Sequence, residues 1–404
     1  MLIVGLDWSR RNHAYVFMDE QGQILEHGTV AHTGEGLGEL AARIHRWSNR
    51  PEQVRVGLET HDGVLLDWLL DQGYTVFGIQ PKSAQRARDM FRPSGSKDDR
   101  VDALVIAEFV RLNSSRLRPL QPDCPRTQQQ RDLLRWRADL VRQRTAEISR
   151  LRALLDQWSP QLSGLCDDLT RRWQQELLQQ FPMESDLAAV HGNTIRAFAR
   201  RHRLRRASLD RIGKARQATA MPLPEHRGQT LRQHVQFLVE QIQRLGTQID
   251  QIEQELAKLI EEHPDARIFQ SLPVGGTVTL AALMAIFGED RDRPRPWEAI
   301  AACCGVAPIT IASGKSRSVR RRRACDQTYQ QALIHFAFNT AFVEDCWAAA
   351  YYQRKRAQGT AHYAALRCLA KRWIKIIYRL WMDRSTYDEQ LHQNRQAMQQ
   401  QRAA

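Results

Sequence analysis

LIVGLDWS (residues 2–9), HAYVFMDE (13–20) and QILEHGTV (23–30) are three short runs rich in apolar and β-branched residues, separated by polar turns, and they read as three consecutive strands. LGELAARIHRWS (37–48) changes the period and reads as a helix, VRVGLET (54–60) returns to a strand, LLDWLLDQ (65–72) is a short helical stretch, and YTVFGIQ (74–80) is a further strand. Three strands, a helix, a strand, a helix and a strand make an α/β domain. The proline-bearing segment from Pro119 to Pro125 marks its end.

Beyond it the pattern is helical. RDLLRWRADLVRQRTAEISRLRALLDQW (131–158) spaces Leu134, Ala138, Val141, Thr145 and Ile148 by four and three. In a second long helix Leu231, Val235, Leu238, Ile242, Leu245, Ile249, Ile252, Leu256 and Leu259 keep the four-three alternation of a coiled-coil seam. The partner of that seam is the earlier helix, another copy of the chain, or both, and its length favours a dimer. A weakly patterned helical segment lies around Arg200 to Arg211. From Phe269 a carboxy-terminal unit opens with SLPVGGTVTLAALMAIFGE (271–289), a glycine turn before an apolar helix, and continues through helices at YQQALIHFAFNTAF (329–342) and ALRCLAKRWIKIIYRLW (365–381). The glutamine- and arginine-rich tail after Tyr387 has little apolar periodicity and reads as disordered. The expected organisation is therefore α/β plus all-α: a domain at 1–123, a helical coiled-coil region at 124–265, a helical carboxy-terminal domain at 266–385 and a polar tail at 386–404.

The 404 residues carry 59 Lys and Arg against 45 Asp and Glu, a net charge of +14, which favours a polyanionic partner, nucleic acid first. No window reaches the apolar run a membrane span needs, and the amino terminus lacks the layout of a signal peptide, so the chain reads as cytoplasmic and free of a membrane partner. Seven cysteines without a CxxC pair read as reduced core thiols rather than a zinc site.

Asp7 closes the first strand and Glu59 closes VRVGLE, so both carboxylates can emerge at one end of neighbouring strands. Asp99 and Asp102 open the helix in SKDDRVDALVIAEF (96–109), one face apart by three, with Ser96 as the expected cap. Four converging carboxylates repel unless a hard cation such as Mg2+ lies among them. Capping and helix-dipole effects place acids at the same positions, and spacing alone leaves both readings open. GLDWS also has the look of the first phosphate-binding hairpin of actin-like ATPases, although no second glycine-rich phosphate loop accompanies it.

AACCGVAPITIASGKSRSVRRRR (301–323) sets Ser313 and Gly314 before Lys315, Arg317, Arg320, Arg321, Arg322 and Arg323. A serine hydroxyl needs a base, a metal or a positive field to act as a nucleophile, and guanidinium groups hold phosphate oxygens. A glycine-serine turn on a solvated basic loop is the alternative. Five arginines within seven residues call for an anion, and phosphate backbone is the simplest. Arg200, Arg201, Arg203, Arg205 and Arg206 form a second basic cluster, either a solvated face or a duplex contact. Trp297, Tyr329, Phe336 and Phe338 read as core aromatics, with base stacking as the alternative.

GLDWSRRNH (5–13), the Glu59 strand, KDDRVDA (97–103), LPVGGTVTLAALMAIFGE (272–289) and CGVAPITIASGK (304–315), in that order, resemble the insertion-sequence-110 family of DEDD transposases, which is related to a group of site-specific DNA invertases. The resemblance implies a RuvC-like, ribonuclease-H-fold domain with Asp7, Glu59, Asp99 and Asp102 as its acids, Asp98 being the alternative to Asp99 that loses the three-residue step to Asp102. It implies that Ser313 attacks a DNA phosphate to form a covalent intermediate with carboxylate-bound Mg2+ assisting. It further implies double-stranded DNA as substrate, a structured bridge RNA as guide, and dimers or tetramers. A hydrolytic junction-resolving nuclease needs only the acids, and a non-catalytic nucleic-acid-binding scaffold needs neither acids nor serine.

Overall fold

The computed structural model describes residues 1–59, 63–91, 98–121, 124–292, 295–314 and 316–390. Two compact units divide the chain, Met1–Asp123 and the residues from Cys124 onward.

In the first unit, β1 (Leu2–Asp7), β2 (Asn12–Met18), β3 (Ile24–Ala31), β4 (Val54–Leu58) and β5 (Thr75–Gly78) form one sheet in the order β3-β2-β1-β4-β5. β1 pairs antiparallel with β2 and parallel with β4, so the sheet is mixed and β1 is its centre. That placement agrees with the pattern of side chains: Leu2, Val4 and Leu6 on one face and Ile3 on the other are all buried, as a strand covered on both faces requires. α1 (Gly34–Trp47), capped by Thr33, lays Leu37, Leu40 and Ile44 on one face with α2 (Val64–Asp71). α3 (Pro81–Phe91), which the periodicity did not single out, and α4 (Asp99–Asn113) cover the other. This mixed α/β unit matches the expectation drawn from residues 2–80.

The second unit is mostly helical. α5 (Pro125–Trp158) is followed by five short helices, α6 (Pro160–Leu165), α7 (Arg172–Gln180), α8 (Glu184–Ala189), α9 (Gly192–Arg201) and α10 (Arg206–Gln217), and then by α11 (Glu225–Glu261). Gln129 bonds Glu255 and Arg137 bonds Glu253, so α5 and α11 run antiparallel against each other. Of the seam on α11, Val235, Leu238 and Ile242 bury with Leu151 and Leu155 of α5 and with α6 to α10. Ile249, Ile252, Leu256 and Leu259 bury instead in a larger core with the helices that follow. The single chain thus covers most of the seam by itself.

Those later elements are α12 (Ala266–Gln270), α13 (Thr277–Phe287), α14 (Trp297–Cys303), β6 (Ile309–Ser313), β7 (Ser316–Arg320), α15 (Gln327–Thr340), α16 (Trp347–Ala357) and α17 (His362–Met382). α13 is apolar on every side and is enclosed throughout Ala281–Ile286, which is where such a helix belongs. The expectation of a purely helical carboxy-terminal unit needs one correction: β6 and β7 make an antiparallel hairpin. β-branched Ile309, Thr310, Ile311 and Val319 flank the tight turn at Gly314, whose φ of +54° suits a residue without a Cβ. The tail also departs from its reading at its start, because Tyr387 donates its N–H to Ser271 Oγ and its hydroxyl to Glu389; residues 391–404 lie outside the described set.

Candidate functional site

Parallel pairing of Leu6 with Leu58 brings Asp7 and Glu59, each one residue further on, to the same sheet end. Gly5 and Gly57 sit opposite each other in that register, and both face α4. A Cβ on Gly5 would stand 2.0 Å from the Ala103 carbonyl oxygen, and one on Gly57 would stand 2.6 Å from Val110. The two glycines therefore let α4 lie nearly on the strands, with Ala103, Ile106, Ala107 and Val110 forming its buried stripe. Close approach is what carries Asp99 and Asp102, in the first turn of α4, to Asp7.

The helix cap is Asp98, whose side chain accepts from Arg100 N–H; Ser96 lies outside the described residues. Burial, then Asp102, Asp99 and Glu59, push the Asp7 carboxyl up to about 6, against a smaller opposing effect of Arg88. Arg88 of α3 donates to Asp102 Oδ1 at 2.5 Å, and Asp102 is buried. Among the described residues no three His, Cys, Asp or Glu side chains reach metal-ligating distance, so the acids share one electrostatic field with Asp102 held by an arginine. The donor set itself, carboxylate oxygens, suits a hard divalent cation.

Ser313 ends β6 at the hairpin tip, directly across from Ser316, and is exposed. Opposed residues share a face, so Ser313 lies with Ser316, Ser318 and Arg320, while Arg317 and Val319 occupy the other face. Arg320 stands roughly 13 Å along the strand from Ser316. Arg321 bonds Gln330, and Arg322 and Arg323 follow beyond the strand end. The structure therefore spreads the arginine run away from Ser313 rather than gathering it there. Lys315 lies outside the described residues. In the helical region Arg200 and Arg201 end α9 and Arg203 follows it with φ of +50°; Arg201 pairs with Glu176. Of the four aromatics read as core, Phe336 is buried and Tyr329 and Trp297 are partly so, but Phe338 is exposed.

Comparison with known proteins bears on both ends of the chain. A model of the DEDD domain of IS110 transposases matches residues 4–160, and a model described as transposase IS116/IS110/IS902 family matches residues 266–353. The chain belongs to the IS110 family of transposases. It is similar, at 28% identity over 96% of its length and 95% of the relative's, to a Streptomyces coelicolor protein named as the mini-circle transposase for IS117. It is also similar to the insertion element IS900 uncharacterized 42 kDa protein of Mycobacterium paratuberculosis, at 25% identity over 95% and 96% of the two chains. The insertion element IS110 uncharacterized 43.6 kDa protein of Streptomyces coelicolor is 26% identical over 80% and 79%.

The first match covers all four acids of this transposase, and the second covers Ser313. Its class implies a DNA substrate and a DNA-cleaving and rejoining activity. Among the described residues no helix is long and apolar enough to cross a membrane. Sequence reading missed Arg88 and the glycine pair. The signal for the glycines was present, since Gly5 and Gly57 each stand two residues before an acid, in GLD and GLE. Arg88 carried no such mark, because its meaning depends on the fold of α3.

Proposed function

We propose that this transposase cuts and exchanges DNA strands at the ends of an insertion element through a covalent Ser313–DNA intermediate. Two observations support the reading: Asp7 and Glu59 stand at one sheet end beside the first turn of α4, which supports the cation part, and Ser313 stands exposed at the tip of the β6–β7 hairpin, which supports the serine part. Asp7, Glu59, Asp99 and Asp102 would hold the cation, with Asp102 released from Arg88. Mg2+ in such a set supplies charge that activates one oxygen and stabilises another during phosphoryl transfer.

The step is a transesterification. Ser313 Oγ bonds to phosphorus, the bond from phosphorus to a deoxyribose oxygen breaks, and the serine proton ends on that leaving oxygen. A hydroxyl of the second strand then reverses the exchange and frees Ser313, so each phosphodiester is conserved. The exposed hairpin tip suits this role, because a hydroxyl that attacks a polymer backbone must stand clear of its own protein. Bridge-RNA guidance and dimeric or tetrameric assembly belong to the same reading, and Arg317, Arg320, Arg321, Arg322, Arg323, Arg200, Arg201, Arg203 and Lys315 are its proposed nucleic-acid contacts.

The test incubates wild type and Ser313→Ala with Mg2+, flank-derived RNA and DNA carrying the element junction, followed by denaturing electrophoresis. A denaturation-resistant adduct in the wild type alone is expected. Equal cleavage by both proteins without an adduct overturns serine chemistry in favour of a hydrolytic nuclease of the RuvC kind.

A further inference from the structure

A concave cavity of about 470 Å³ opens in the second unit between the end of the hairpin and α17. Arg320, Arg321 and Arg322 line one side. Arg367, Lys371, Arg372 and Lys375, spaced along one face of α17 by steps of four and their neighbours, line the other. The opposite face of the helix, from Leu366 and Ala370 to Ile377 and Trp381, is sealed in the core, so the helix presents these cations on the cavity side.

Like charges four apart on a helix destabilise it, and the Arg367, Lys371 and Lys375 row repeats that arrangement twice. No carboxylate lines the cavity, and among the described residues none of the seven cations forms an ion pair. Arg322 Nε is buried without a hydrogen-bond partner. Burial lowers the pKa of Arg367, and Arg321 adds to the effect in the same direction. Such a wall, lined by seven cations and no carboxylate, suits an anion.

Trp297 and Tyr351 add flat apolar surface to the same cavity, and the Lys371 and Lys375 ammoniums lie 5.7 and 5.4 Å from the centre of the Trp297 ring. Phosphate-binding cations interleaved with aromatic rings are how proteins hold unpaired nucleotides, the rings taking base faces and the cations the backbone. The volume is that of a small-ligand pocket, which a single nucleotide fills and a duplex cannot enter.

We infer that this cavity captures one unpaired nucleotide of a nucleic-acid strand, its phosphates on Arg320 to Arg322 and the α17 cations and its base along Trp297 and Tyr351. The inference rests on the reading of the chain as a nucleic-acid-processing transposase, and it assigns Arg367, Lys371, Arg372, Lys375 and Trp297 a binding role that the motif matches do not. DNA and RNA share this chemistry.

The experiment measures fluorescence anisotropy of the full chain, in metal-free buffer, with three labelled probes of about ten nucleotides: oligo-dT, oligo-U and a mixed-sequence DNA duplex. The variants are Lys371→Glu with Lys375→Glu, Trp297→Leu, and Arg379→Glu, an exposed α17 position paired with Asp383 outside the cavity. The charge-reversed protein is expected to bind single strands about tenfold more weakly or worse, with a shallower salt dependence, and the duplex within about twofold of wild type. Trp297→Leu shares the loss, Arg379→Glu does not, and circular dichroism checks folding.

Cys368, exposed on the cavity wall, gives a second readout: a bound single strand protects it from alkylation, measured by peptide mass spectrometry. Whichever oligonucleotide responds names the source, and a response from both shows that the site reads no 2′-hydroxyl. Equal losses on duplex and single strands, or unchanged binding with Cys368 unprotected, overturn the inference. No cleavage and no metal enter this assay, so its failure leaves the Ser313 adduct result standing, and failure of the adduct leaves the binding result standing.

Discussion

Asp7 is held where its own charge costs stability. Its folded pKa of about 6 lies above the ordinary 3.8, so between those values the folded state binds more protons than the unfolded one, and stability rises as pH falls through 6. His13 acts the other way: burial first and His32 second lower its pKa to about 4, so the unfolded state binds more protons between 6.5 and 4 and stability falls as pH falls. In EDTA, Asp7→Asn is expected to melt a few degrees above wild type at pH 7 and to lose stability on acidification, because the histidine slope stands without its counterweight. Thermal denaturation from pH 7.5 to 4.5 checks this, and a melting temperature lower than wild type at pH 7 would show that Asp7 is stabilised rather than strained. The same variant should give no Ser313 adduct in the cleavage assay.

At the scale of elements, the contact of α4 with β1 and β4 governs whether the acids meet. Gly5→Ala places a methyl group against backbone at Ala103, which no side-chain rotation relieves, and a loss of about 2–3 kcal/mol is expected in urea denaturation. The displaced helix should also carry Asp99 and Asp102 away from Asp7 and return the Asp7 carboxyl toward its ordinary pKa, readable by carbon NMR titration of the aspartates. A variant as stable as wild type would mean that α4 does not press on the strand. The hairpin presents the contrast: Gly314→Ala forces a left-handed residue at about 1–2 kcal/mol, but the turn is exposed and joins two strands outside the cores. Melting should shift little while adduct formation slows, which separates positioning of Ser313 from folding.

For the whole molecule, the question is what covers the α11 seam. Its four-three alternation predicted a helix partner, and α5 supplies one within the chain, with Leu256 wholly buried and Ile242 likewise. Leu256→Ala should therefore cost about 2–5 kcal/mol, with a melting temperature that does not change across a hundredfold range of protein concentration. A concentration-dependent loss would assign the seam to association between copies. A concentration-independent loss would leave assembly of two or four copies, part of the proposed function, to other surfaces.

Most of the first unit was legible in the sequence because strand and helix periods, caps and turns are local: residues 2–80 announced their strands, and the order of GLD, GLE and KDDRVDA announced the acids. The sequence by itself thus determined which residues are apolar on which face of the five sheet strands and the long helices, and which carboxylates stand at element ends, but not α3 or the β6–β7 hairpin. What it left open was decided by contacts between distant residues. Periodicity shows that a face must be covered but not by what, so the pairing of α5 with α11 and the division of one seam between two cores emerged only in three dimensions. The same holds for Gly5 and Gly57 meeting α4, for Arg88 reaching Asp102, and for Arg320 to Arg322 facing the cations of α17. Each joins groups from separate elements, and a charge or a missing Cβ acquires its meaning only from the neighbour that folding brings to it.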